Sequence, residues 1–111
     1  GALLTLPRAK QDADGFGAAL VHGTLAHLAA IDEAIAPHLK GWTMAQMPAV
    51  DRTLLRVAAF EILHSDEPVG AVISEAVVLA KEYSTAESGR FINGVLGAIA
   101  RDAAHREPQE P

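Results

Sequence analysis

The sequence predicts an all-α fold, and three observations carry that expectation. Apolar residues recur at three- and four-residue spacing through most of the 111 residues. Alanine and leucine, both good helix formers, dominate a composition that is 50% hydrophobic and only 5% aromatic. Neither an alternating strand pattern nor a hairpin dipeptide occurs. The length suits one domain with a modest core, and there is no internal repeat. The expected organisation is a lead-in segment over residues 1–12, a helical domain over 13–104, and a disordered tail over 105–111. About five to six helices are expected in the domain.

Taken in order, residues 1–12 lack a period and contain Pro7. The chain opens on Gly1 rather than methionine and reads as trimmed. Residues 13–30 read as helix, with Phe16, Leu20 and Gly23 on one face that Ile31 and Ile35 extend. Asp32 is expected to cap a second segment running to about Leu39, with Pro37 bending or ending it and Gly41 supplying a stop. Thr43 to Gln46 fits a capping box, and Pro48 introduces a central helix over 49–64. That helix is apolar on most sides, as a buried helix is. Residues 65–68 form a turn. A helix follows over 69–83, with Val72, Ala76, Leu79, Ala80 and Tyr83 on one face. Residues 84–89 are an elbow, and the last helix runs from about Ser88 to Ala104.

Composition narrows function. A net charge of −5 argues mildly against non-specific nucleic-acid binding, although a local basic strip can exist within an acidic total. The absence of cysteine removes disulfides and thiolate metal sites and fits a reducing, cytoplasmic setting. No apolar run approaches the roughly 18 residues of a membrane span. The 5 histidines form no HxxxH or HExxH pair, and no nucleophile elbow, P-loop or dinucleotide fingerprint occurs. Glu61 and Glu75 stand singly, so no acid–base pair is evident. The expectation is a non-enzyme without metal or cofactor.

The informative part is the last third. With Phe91 at zero on a helical wheel, Ile92, Val95, Leu96 and Ile99 fill the core arc. The other arc holds Arg90, Asn93, Gly94, Gly97 and Arg101, without an acid. Each mid-helix glycine costs about 1 kcal/mol against alanine. Close packing of another helix and approach of a partner or nucleic-acid backbone both account for that cost. The elbow also reads two ways. Ser84 and Glu87 fit a capping box, and Ser88 can cap the last helix. A helix start beside Lys81 and Arg90 is equally an anion site, with Tyr83 and Phe91 as aromatic neighbours suited to unpaired bases. On the central helix Arg52 and Arg56 lie four apart and repel; internal ion pairs and a docking partner are the alternatives for them. Trp42 is expected to anchor the core.

Three blocks, PAVDRTLLRVAAFEIL at 48–63, ISEAVVLAKEYSTAES at 73–88 and FINGVLGAIAR at 91–101, together resemble the NusB family of bacterial transcription antitermination factors. The Gly41-Trp42 pair resembles the high-GC Gram-positive versions. The resemblance covers roughly residues 16–104 and implies an all-helical, NusB-like bundle. It further implies binding of boxA RNA in ribosomal RNA leader transcripts together with NusE, a ribosomal small-subunit protein, within the RNA polymerase antitermination complex. On that resemblance the RNA-binding candidates are Lys81, Tyr83, Glu87, Ser88, Arg90, Phe91 and Asn93. Glu87 stands where the family often has aspartate. The partner-facing candidates are Asp51, Arg52, Arg56 and Glu75. The family's arginine-rich first helix has no counterpart in residues 1–15, where only Arg8 and Lys10 are basic. Apolar surface left uncovered there would favour a partner or a homodimer. A helical RNA-targeting module of a ribosomal RNA cytosine methyltransferase is the alternative reading. A protein-interaction bundle without RNA binding is another.

Overall fold

A computed structural model describes residues 22–106. The expectations for the lead-in segment, for Phe16 and Leu20, and for most of the tail lie outside that range. All regular structure among the described residues is helical. Residues 22–26 are helical and pass through a turn at His27 into α1 (Leu28–Ile35). Two 3₁₀ turns follow, Ala36–His38 and Met44–Gln46, then α2 (Ala49–His64), α3 (Val69–Tyr83) and α4 (Ala86–Arg106).

The first helix does not run unbroken to residue 30. His27 leaves helical geometry at φ −116°, ψ 21°. Its N–H is shared between the carbonyls of Gly23 (3.1 Å) and Thr24 (3.2 Å). Its ring Nδ1 lies 3.0 Å from the Gly23 oxygen. Asp32 is consequently not a cap. It lies inside α1 and accepts from Arg56 Nε at 2.9 Å and Nη2 at 2.8 Å, a two-pronged pair that ties α1 to α2. Pro37 ends the α-helix as expected, at the 3₁₀ turn. Lys40 (φ 53°) and Gly41 (φ 93°) then reverse the chain. Glycine enters that left-handed region freely, whereas the lysine is strained there.

The capping box at Thr43 forms as expected, with the Gln46 side chain accepting from Thr43 N at 2.8 Å and Thr43 Oγ1 accepting from Gln46 N at 3.3 Å. The bounds of α2 and α3 coincide with those expected. Each follows a proline, whose fixed φ and missing N–H suit a helix entry.

The core is built where α4 lies across α2 and α3. Ile92, Val95, Leu96 and Ile99 of α4 are buried, as their wheel positions require. They meet Leu55, Ala58, Ala59 and Ile62 of α2 and Val72, Ala76 and Ala80 of α3 in a single cluster. Alanines at these positions let the helix axes approach. Each fully buried large aliphatic side chain contributes about 1.5–3 kcal/mol. Ile31 and Ile35 of α1 complete the cluster, and His38 Nε2 holds Asp102 Oδ2 of α4 at 2.8 Å. Near His27 the rings of His27, Phe60 and His64 pack together, the closest centroids, His27 and His64, 4.7 Å apart. Gly23 makes room for them: a Cβ there would collide with the Phe60 ring.

Candidate nucleic-acid interface

The candidate residues converge on the junction between the last turn of α3 and the first turn of α4. Only Ser84 and Thr85 separate the two helices, a shorter elbow than expected. Thr85 is the residue that caps α4: its Oγ1 accepts from Ser88 N at 2.9 Å. The capping box between Ser84 and Glu87, and the cap at Ser88, do not form. The helix starts at Ala86, one residue later than a Ser84 cap requires and three earlier than a Ser88 cap requires. Glu87 instead occupies the exposed first turn, where its charge complements the helix dipole. Ser88 turns inward. Its hydroxyl donates to Asp51 Oδ2 at 2.7 Å and lies 3.0 Å from Ser84 Oγ.

Asp51 thereby joins the start of α2 to the start of α4. It is 4% exposed, in the first turn of α2, where a carboxylate favours the helix. Its other oxygen, Oδ1, is buried without a hydrogen-bond partner among the described residues.

Two cavities open on opposite flanks of this turn of α4. One, of about 590 Å³, is lined by Lys81, Arg90, Asn93 and Gly89 together with apolar residues of α3, and no acid lines it. Gly89 is what sets it up. It is buried beneath the Lys81 side chain, and a Cβ there would come within 2.8 Å of Lys81 Cγ. The lysine stem therefore lies flat across α4 and delivers its ammonium to the flank that carries Arg90. Neither cation forms an ion pair among the described residues.

The other cavity, of about 450 Å³, is lined by Trp42, Met47, Asp51, Glu87, Ser88 and Phe91 among others. It has two acids and no cation. Trp42 does not anchor the core; it is 54% exposed at the mouth of this cavity. The left-handed pair Lys40–Gly41 directs the chain outward just before it. Tyr83 is likewise 65% exposed rather than packed with Ala76 and Ala80 on the buried face of α3, and it lines neither cavity.

The structure thus groups Glu87, Ser88 and Phe91 with Asp51, and separately Lys81, Arg90 and Asn93. The partner-facing candidates do not form one cluster. Arg52 donates to the carbonyls of Met44 (3.1 Å) and Met47 (3.3 Å), and Arg56 pairs with Asp32, so the expected mutual repulsion is relieved by a separate partner for each. The hydrogen bond to Asp32 raises the Arg56 pKa, and partial burial opposes it. Glu75 is exposed on α3. Burial first, then the carboxylates of Glu75 and Glu67, raise the pKa of Glu61. At Gly94 no heavy atom lies within 4 Å of where a Cβ would stand, and at Gly97 only Arg101 Nη1 does, at 3.5 Å. Among the described residues no helix packs closely on either glycine.

Sequence reasoning singled out Gly94 and Gly97 but passed over Gly89, the glycine of α4 that packs tightly against another helix's side chain. Its signal was available: a glycine one turn into a helix, eight residues after a lysine. No group of three or more metal-ligating side chains occurs among the described residues, and no helix among them is long and apolar enough to cross a membrane.

Comparison with known proteins points to one family over most of the chain. The family model described as the NusB family matches residues 3–101. The transcription antitermination protein NusB of Salinispora arenicola is 52% identical over 90 residues, 80% of this chain and 66% of that protein. That of Macrococcus caseolyticus is 44% identical over 91 residues, 82% of this chain and 70% of that protein. The chain thus spans about two thirds of the length of these relatives. Among solved structures, T. maritima NusB superimposes with a TM-score of 0.78 at 34% identity, covering 90% of this chain and 69% of that one. A chain in the crystal structure of a plectonemic RNA supercoil gives a TM-score of 0.75 at 36% identity, covering 87% and 70%. The fold, the three sequence blocks and these matches agree: the chain belongs to the NusB family.

Proposed function

We propose that this protein is a non-enzymatic antitermination factor that holds boxA RNA of ribosomal RNA leader transcripts together with NusE. The observation that carries the reading is the acid-free groove of Lys81, Arg90 and Asn93. In a chain of net charge −5 it concentrates two cations, unpaired among the described residues, beside the start of a helix. A phosphate there meets two cations and the positive end of α4. The antitermination proteins matched above favour this role over that of a methyltransferase module. Asp51, Arg52, Arg56 and Glu75 remain the residues proposed for the NusE side, with the exposed Glu75 the most accessible of them.

The test is binding of boxA RNA against a scrambled RNA, with and without NusE, over a series of salt concentrations. Affinity for boxA should exceed that for the scrambled sequence and rise when NusE is added. Equal binding of both RNAs with no gain from NusE would sink the reading in favour of a bundle without specific RNA binding. Arg90→Ala should weaken RNA binding and flatten the salt slope by about one. Its melting temperature should stay near that of the parent, because Arg90 is exposed and has no ion pair among the described residues. A large fall in melting temperature with unchanged binding would make Arg90 structural.

A further inference from the structure

The acidic cavity on the other flank of α4 has a feature that protein packing leaves unexplained. Asp51 lines it, is 4% exposed, and keeps one carboxylate oxygen without a partner while the other accepts from Ser88. Buried acceptors are nearly always satisfied, so an orphan beside a cavity points to a donor that arrives from outside. At the same cavity stands Trp42, 54% exposed. Its backbone N–H donates to the Leu39 carbonyl at 3.2 Å, which fixes the chain at the residue that carries the ring. The occupant must therefore offer a flat apolar face to an indole and an N–H to a carboxylate. It must also carry no negative charge into a site that holds Asp51 and Glu87.

We propose that this cavity receives one unstacked base of the bound single-stranded RNA, with Trp42 as its stacking face and the Asp51 carboxylate as the acceptor for an N–H on its edge. The inference rests on the RNA reading above and adds a residue, Trp42, and a division of labour. Consecutive residues of one helical turn serve opposite flanks: Ser88 and Phe91 line the base cavity, while Gly89 and Arg90 line the cationic groove. Phosphates are repelled from the first and drawn to the second. A strand crossing this turn is thus oriented with its backbone toward Lys81 and Arg90 and a base toward Trp42. A lysine or arginine of a protein partner would also suit two carboxylates. The adjoining cations would repel a basic segment, however, and attract RNA.

Trp42 is the one tryptophan in the chain, so its emission reports on the cavity directly. The full chain is titrated with boxA RNA while end-labelled RNA anisotropy and tryptophan emission are followed. The expected result is quenching with the same midpoint as the anisotropy change. Trp42→Ala should bind roughly tenfold more weakly, within the range for one stacked base, and Trp42→Phe should recover most of the loss. The salt slope should stay unchanged, because no phosphate contact is removed. An abasic residue moved through the RNA should abolish quenching at one position. Methylating the donor nitrogen of that base should weaken binding there while other positions tolerate it. RNA binding with unchanged Trp42 emission and an undiminished Trp42→Ala variant would overturn the base site and leave the RNA reading intact. Loss of RNA binding in every arm, the parent included, would remove both. Quenching by an oligolysine peptide but not by RNA would overturn the base site in favour of a cationic partner.

Discussion

The two flanks of the first turn of α4 are built from neighbouring residues and differ in almost every physical respect. On one, Ser88, Thr85, Ser84 and Asp51 exchange hydrogen bonds of 2.7–3.1 Å, and the sequence's polar residues are consumed in joining α4 to α2. On the other, Lys81 and Arg90 make no ion pair among the described residues and are arrayed by a glycine that has room for nothing but a lysine stem. Polar residues that bond to each other explain a fold. Polar residues held in place without partners are left over for something that is not in the fold. The groove is wholly of the second kind. The cavity is of the first kind except at Asp51 Oδ1 and Trp42.

The largest effect that would break this contrast is on the bonded flank. Asp51→Ala should cost about 1–3 kcal/mol by removing the charged acceptor of the Ser88 hydroxyl and a first-turn acid from α2. For a domain this small each kcal/mol lowers the melting temperature by roughly 4–8 °C. Ser88→Ala should cost a comparable amount, because it strands the buried carboxylate. The double variant should lose less than the sum of the two, as residues sharing one bond do. If Asp51→Ala melts like the parent, the bonded flank is not structural and the contrast fails.

How much of this was legible in the sequence follows the same line. The bounds of α2 and α3 were readable because Pro48 and Pro68 fix helix entries locally and the apolar period does the rest. The core face of α4 was readable for the same reason. The elbow was not. Ser84, Thr85 and Ser88 are all competent caps, and the choice among them depends on Asp51, 37 residues from Ser88 in sequence, which draws the Ser88 hydroxyl inward. The break at His27 depends on Gly23 and the Phe60 ring, again a tertiary matter. Trp42 misled because large aromatic residues usually anchor cores, and only the left-handed pair before it turns it outward. The repulsion between Arg52 and Arg56 was a fair local inference that Asp32 and two carbonyls cancel. Residue types were thus legible wherever periodicity decided them, and side-chain direction was not wherever a distant group decided it.

A smaller effect sharpens the unbonded side. Gly94 has open space at its Cβ position among the described residues, so Gly94→Ala should stabilise the free protein by up to about 1 kcal/mol through helix propensity alone. A raised melting temperature together with weaker RNA or NusE binding would mean that the glycine serves a partner's approach. A raised melting temperature with unchanged binding would free this face of any role. A lowered melting temperature would mean that another part of the chain packs against it.

The smallest effect concerns acids that make no ion pair among the described residues. Burial, then Glu75 and Glu67, raise the pKa of Glu61 above its ordinary value of 4.5. The folded protein therefore holds that proton more tightly than the unfolded chain does. In the window between the ordinary and the raised value, stability falls as pH rises, and the penalty is complete above the folded-state pKa. Glu61→Gln should remove it. The variant should melt slightly above the parent at neutral pH, and the difference should shrink on acidification and vanish once Glu61 is protonated in both states. Because Glu61 is only partly buried, the part of the shift that comes from Glu75 and Glu67 should also shrink with added salt. Glu75→Gln should reproduce part of the gain, whereas Asp51, whose carboxylate is hydrogen-bonded by Ser88, should show no such gain on removal. A difference between Glu61→Gln and the parent that ignores both pH and salt would assign the effect to packing of the side chain rather than to its charge.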